Sequence, residues 1–137
     1  MPDQCSILFI MPGQGDETAR RLRCLGFRVD ESADLPPNDV VASYHAIVVR
    51  PGASCNLPML AARIRAKPHF GRRVLLLLVP DTMPERARRE AILSGFDHAM
   101  PETCTARDLA ASILRLLRPF PEYRCLLRTP GGRRKAA

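Results

Sequence analysis

The stretch Val74-Leu-Leu-Leu-Leu-Val-Pro-Asp-Thr-Met-Pro-Glu-Arg-Ala-Arg-Arg-Glu-Ala-Ile-Leu-Ser-Gly-Phe-Asp-His-Ala-Met100 decides the fold. Val74–Val79 is a continuous apolar run with no polar alternation, which suits a strand buried on both faces. Pro80 ends it. Thr82-Met-Pro-Glu85 reads as a capping box with proline in the first turn, opening a helix that runs to Ser94 before Gly95. His98–Met100 is then a second short strand. A strand, a helix and a strand in about 27 residues make one βαβ unit, whose two strands lie parallel in one sheet.

The same unit repeats outward. Ser6–Met11 is an apolar run ended by Pro12-Gly13, and Asp16–Leu25 sets Ala19, Leu22 and Leu25 on one helical stripe. Gly26 suits the helix C-terminus, and Phe27–Glu31 alternates as a strand does. After Leu35-Pro36-Pro37, Asp39–Ser43 could form one or two helical turns. Ala46–Val49 is a buried strand stopped by Arg50-Pro51-Gly52. Asn56 caps a helix carrying Leu57, Leu60, Ala61 and Ile64, closed by Pro68. Thr105-Ala-Arg-Asp108 caps the last helix, with Leu109, Ile113, Leu116 and Leu117 on one face up to Pro119. Alternating strands and helices over residues 1–118 predict an α/β domain with a parallel sheet covered on both sides. Its reactive groups would sit beyond the carboxyl ends of the strands, in Met11–Asp16, Arg50–Ser54, Pro80–Thr82 and Met100–Thr103.

The chain has 137 residues, 46% hydrophobic and 26% charged, which is one ordinary globular domain and not a disordered or collagenous one. No apolar run approaches the roughly 20 residues of a spanning helix, and Met1–Ile10 lacks a basic region before its apolar stretch. A cytoplasmic location is expected. The net charge of +7 is uneven: residues 1–117 carry 15 basic and 13 acidic side chains, and residues 118–137 carry six basic ones against Glu122. Residues 119–137 therefore read as a basic Pro/Gly-containing tail. It could touch nucleic acid or an acidic partner, although no aromatic stacking platform accompanies it. The five cysteines are scattered, without C-x-x-C or Cys/His clusters. They read as reduced thiols, with no metal and no disulfide framework.

Two segments give the pattern a family likeness. Ala91-Ile-Leu-Ser-Gly-Phe-Asp-His-Ala-Met100 is similar to the A-x-x-x-G-A-D-D-Y-L segment of response-regulator receiver domains, and Tyr44-His-Ala-Ile-Val-Val-Arg-Pro51 is similar to their D-L-V-L-L-D stretch. Over about residues 5–118 the chain resembles such a receiver. The resemblance implies a three-layer, flavodoxin-like (βα)5 doubly wound sheet with strand order 2-1-3-4-5. In that family two carboxylates after the first strand hold Mg²⁺, an Asp ending the third strand accepts phosphate, a Ser or Thr ends the fourth, and a Lys follows the fifth. A metal and a cation are needed there to neutralise charge on the transferred oxygens.

Carried over, the acidic pair falls on Met11 and Pro12, the acceptor on Arg50, the hydroxyl on Pro80 or Val79, and the lysine on Glu102 or Met100. None of these is retained. A guanidinium forms no acyl phosphate, and a hard cation prefers carboxylates and water. The expectation is a pseudo-receiver that is not an enzyme, takes no cofactor, and pairs Arg50 with Glu102 across the old pocket. Asp16, Glu17 and Asp81 are the nearest acids, but the first two suit a helix N-terminus and the third a turn.

Receivers exchange output through their last two helices and last strand. This implies an interaction face of Arg86, Arg89, Glu90, His98, Arg107 and Arg115 for a histidine kinase, another regulator or a second copy of the chain, with no membrane involved. Two other readings compete. Gly13-Gln-Gly15-Asp-Glu-Thr18 with Asp30 approaches a dinucleotide fingerprint, but Thr18 replaces its third glycine. His45, His69 and His98 are not paired with any nucleophile, and Ser54 and Ser94 lie outside a G-x-S-x-G context.

Overall fold

A computed structural model describes residues 5–10, 17–33, 44–51, 56–66 and 74–119. Five strands, β1 (Ser6–Ile10), β2 (Arg28–Ser32), β3 (Ala46–Val49), β4 (Val74–Val79) and β5 (His98–Pro101), form one sheet in the order β2-β1-β3-β4-β5. Every pairing is parallel, with Leu8 opposite Asp30, Leu8 opposite Ile47, Ile47 opposite Leu75, and Leu76 opposite His98. The described helices are α1 (Glu17–Cys24), α2 (Leu57–Arg65), α3 (Glu85–Ser94) and α4 (Ala106–Leu117). This is the expected doubly wound α/β sheet.

Strand periodicity splits the core into two slabs. Ile7, Phe9, Val48, Leu76, Leu78 and Met100 face α1 and α4, where Ala19, Leu22, Leu109, Ile113 and Leu117 meet them. Leu8, Ile10, Ile47, Val49, Leu75, Leu77 and Ala99 face α2 and α3 and pack with Leu60, Ala61, Ile64, Ala91 and Phe96. The uninterrupted leucines of β4 are thus divided between the slabs. Each is almost wholly buried.

The caps agree with the sequence at two helices and differ at a third. The Asn56 side chain accepts the Met59 N–H at 3.0 Å, and Thr105 Oγ1 accepts the Asp108 N–H at 3.0 Å. The box expected at Thr82 does not form. A turn closed by Met83 N–H on the Pro80 carbonyl occupies that position, and Pro84, in extended backbone, is the N-cap of α3 without a side-chain cap bond. Leu25 also departs from its expected stripe. It follows the last residue of α1 and is 39% exposed. The Asp39–Ser43 helix lies outside the described residues.

One polar staple ties α2, α3, β4 and β5 together. Arg65, at the end of α2, donates from Nε and Nη2 to the Gly95 carbonyl at 3.0 and 2.7 Å and from Nη2 to Asp97 Oδ2 at 2.9 Å. The same Asp97 oxygen accepts the N–H of fully buried Leu75 at 2.7 Å. Gly95 has φ 136°, where a side chain is strained, and an added Cβ would stand 3.2 Å from Arg65 Cγ. At the opposite edge of the sheet, Arg23 donates from Nε and Nη2 to the Val29 carbonyl at 3.0 and 2.7 Å.

Removing the Asp97 carboxylate would leave a buried amide without its acceptor, which costs about 1–3 kcal/mol. Asp97→Ala is expected to lower stability in urea unfolding by that amount. Asp97→Asn, which keeps an acceptor oxygen, should recover much of it.

Candidate functional site

The carboxyl ends of β3, β4 and β5 bring Arg50, Val79, Pro80 and Glu102 together. Backbone bonds fix their bases: Arg50 N–H donates to the Ile10 carbonyl at 2.9 Å, and Glu102 N–H to the Val79 carbonyl at 2.9 Å. Across β4, Arg50 Nη1 reaches Glu102 Oε1 at 3.2 Å. The pair expected from the sequence is present. The side chains are 24% and 33% exposed, between surface and core. The Arg50 guanidinium carbon also stands 5.8 Å from the centre of the buried Phe9 ring, within cation–π range. Burial and the neighbouring Asp108 carboxylate push the Cys104 thiol up, and Arg50 opposes them.

The remaining pocket positions separate. Met100 points into the slab beneath α1 and α4, so of the two residues aligned with the family's lysine only Glu102 reaches the strand ends. Met11 and Pro12 lie outside the described residues, as do Gly13–Asp16. Of the nearest acids, Glu17 is bonded to Arg20 and Arg21, and Asp81 is exposed in the turn before α3. Asp30, the acid of the dinucleotide reading, accepts the Tyr44 hydroxyl at 2.7 Å. Burial, and then that bond, push the Tyr44 phenol up to about 12.

The expected interaction face divides over both sides of the sheet. Arg86, Arg89 and Glu90 project from α3, Arg107 and Arg115 from α4, and all five are exposed. His98 is half-buried on β5 between the two helices. Its imidazole is held below the ordinary 6.5 by burial first, then by the charges of Arg115 and Arg88. Arg88 was missed in the sequence. Helical phase could have found it, because it stands one turn before the buried Ala91. The side chains of Arg86 and Arg107 make no ion pair among the described residues.

The described thiols are free: Cys5 is buried, with its thiol pushed up to about 12 by that burial, Cys104 is half-buried, and Cys24 is exposed. Among the described residues, no three His, Cys, Asp or Glu side chains are grouped to hold a metal ion, and no helix is long and apolar enough to cross a membrane.

Comparison with solved structures then places the architecture. An orphan response regulator of H. pylori superposes with a TM-score of 0.65 at 21% identity, over 82% of this chain and 96% of that one. The fold is that of receiver domains. A chemotaxis response regulator of Vibrio cholerae gives 0.66 at 15% identity, over 83% and 99%. An atypical orphan response regulator, described as using a phosphorylation-independent regulatory mechanism, gives 0.65 at 22%, over 82% and 95%. No protein-family model matches the chain, and no curated protein does. The receiver fold is thus reached here at 15–22% sequence identity.

Two outcomes follow. In a double-mutant cycle, Arg50→Ala and Glu102→Ala should couple by about 0.2–1 kcal/mol, the range of a partly solvated ion pair. The His98 ring should titrate by NMR below 6.5 and move upward in Arg115→Ala. The unfolded chain then binds the proton first. Any contribution of His98 to stability is present above pH 6.5 and is lost as the pH falls from there toward the lower folded-state value.

Proposed function

We propose that residues 1–118 form an atypical receiver of two-component signalling, a pseudo-receiver that acts as a phosphorylation-independent protein-docking module and not as an enzyme. The observation that carries this reading is Arg50, at the end of β3 and ion-paired to Glu102. A receiver places its phosphate-accepting carboxylate at that strand end. A guanidinium there has no lone pair to offer a metal and no oxygen to acylate, and it already occupies the carboxylate that stands in the lysine position. These two residues do not fit a Mg²⁺ site, because the positive charge of Arg50 repels a divalent cation from Glu102.

The pair reverses the polarity of the contact between lysine and phosphoaspartate. It joins the end of β3 to the start of the loop that leads into α4, and so favours one arrangement of that loop without a covalent signal. The atypical orphan regulator, with the same fold and a phosphorylation-independent mechanism of its own, supports the reading. The expected partner is a histidine kinase, another regulator or a second copy of the chain, and docking is assigned to α3, β5 and α4.

Amide NMR during titration with Mg²⁺ and beryllofluoride, an acyl-phosphate mimic, tests the proposal. The resonances of Arg50, Val79 and Glu102 should stay in place, and acetyl phosphate should leave no phosphate adduct in the intact mass. Saturable shifts at those residues, or a stable adduct, would overturn the reading.

A further inference from the structure

The two edges of the sheet differ. On β2, Arg28 N–H bonds the Cys5 carbonyl, so the main-chain groups of Val29 point outward, and Arg23 occupies the Val29 carbonyl. On β5, Asp97 N–H bonds the Leu75 carbonyl, so by the same alternation the N–H and C=O groups of His98 and Met100 point away from β4. Among the described residues nothing pairs with them.

The charges around this edge are also unbalanced. The acids at the two ends of β5 are already committed, Asp97 to Arg65 and Glu102 to Arg50. Arg115 makes no ion pair among the described residues, and Asp108 stands two turns away on α4, about 10 Å along the axis. Arg88 shares Glu85 with Arg89, at 3.8 and 3.9 Å. Two arginines therefore flank an open strand from opposite faces of the sheet, and His98 lies between them.

We propose that an extended acidic segment of a partner protein adds to β5 as a sixth strand, its backbone pairing with His98 and Met100 and its carboxylates meeting Arg88 and Arg115. Main-chain pairing would supply the affinity and the two arginines the selection for acidic side chains. The shortness of β5 and the proline at Pro101, which has no N–H, confine the addition to a few residues. The proposal rests on the docking reading above and names the chemistry of its partner.

The test is an amide NMR titration of the full chain with a pool of eight-residue peptides carrying glutamate at alternate positions and valine or threonine between. Shifts confined to residues 98–100, Arg88 and Arg115 are expected, with slowed hydrogen exchange at the His98 and Met100 amides. Binding should weaken with salt and fall about tenfold in Arg88→Gln/Arg115→Gln, which changes only half-exposed and exposed side chains. The His98 ring should titrate higher in the complex, because the added carboxylates offset the arginines that face it from α3 and α4.

A matching lysine pool should not bind, nor should acidic peptides N-methylated on the amides that face β5. No response at millimolar acidic peptide, equal binding by the lysine pool, or equal binding by the N-methylated peptides would each overturn the proposal. A beryllofluoride response would end the docking reading without altering the peptide result, so the two failures are distinguishable.

Discussion

Everything in this molecule depends on a sheet buried on both faces. β1, β3 and β4 occupy its centre and are apolar at nearly every position, so each strand needs a helix layer above and another below. That requirement sets the alternation of strand and helix and the parallel pairing. It also leaves the strand ends as the places where polar side chains collect without cost to the core. Arg50 and Glu102 meet there because β3 and β5 flank the same central strand, and the long arginine side chain spans the two residues by which β5 runs further along β4. Their contact is a product of register before it is one of chemistry.

Much of this was legible in the sequence because it is local. The Val74–Val79 run, the helical stripe Leu57-Leu60-Ala61-Ile64 and the Thr105 cap each report through neighbouring residues, and each stands where the pattern put it. The pairing of Arg50 with Glu102 was accessible for another reason. A strand order inferred by resemblance converts two distant positions into neighbours. Thr82 misled because a capping box and a turn use the same residue types. The bond from Met83 to Pro80 favoured the turn, and extended Pro84 moved the helix start two residues on. The Arg65 staple had no signal, since it joins a helix end to a glycine carbonyl 30 residues later. A carbonyl has no identity in a sequence.

The ionic groups fall into two kinds. Asp97 accepts bonds from two elements, and its loss exposes a buried amide, so it maintains the framework. Arg50 and Glu102 are partly solvated at the strand ends, where an ion pair contributes little to stability. Side chains at such strand ends can therefore change while the scaffold survives, because the fold is held elsewhere.

The guanidinium of Arg23 on the Val29 carbonyl has a consequence for assembly. By taking the outward carbonyl of Val29 and laying a charged side chain along that margin, it makes β2 a poorer template for a neighbouring strand than β5 is among the described residues. Two copies joined through β5 would form a two-fold pair, and a foreign strand there would cap the sheet. Either product would have β2 as its outer strand, with one acceptor already taken and an arginine in the way. A charge placed along an edge strand is the kind of feature that discourages growth of a sheet into a fibre.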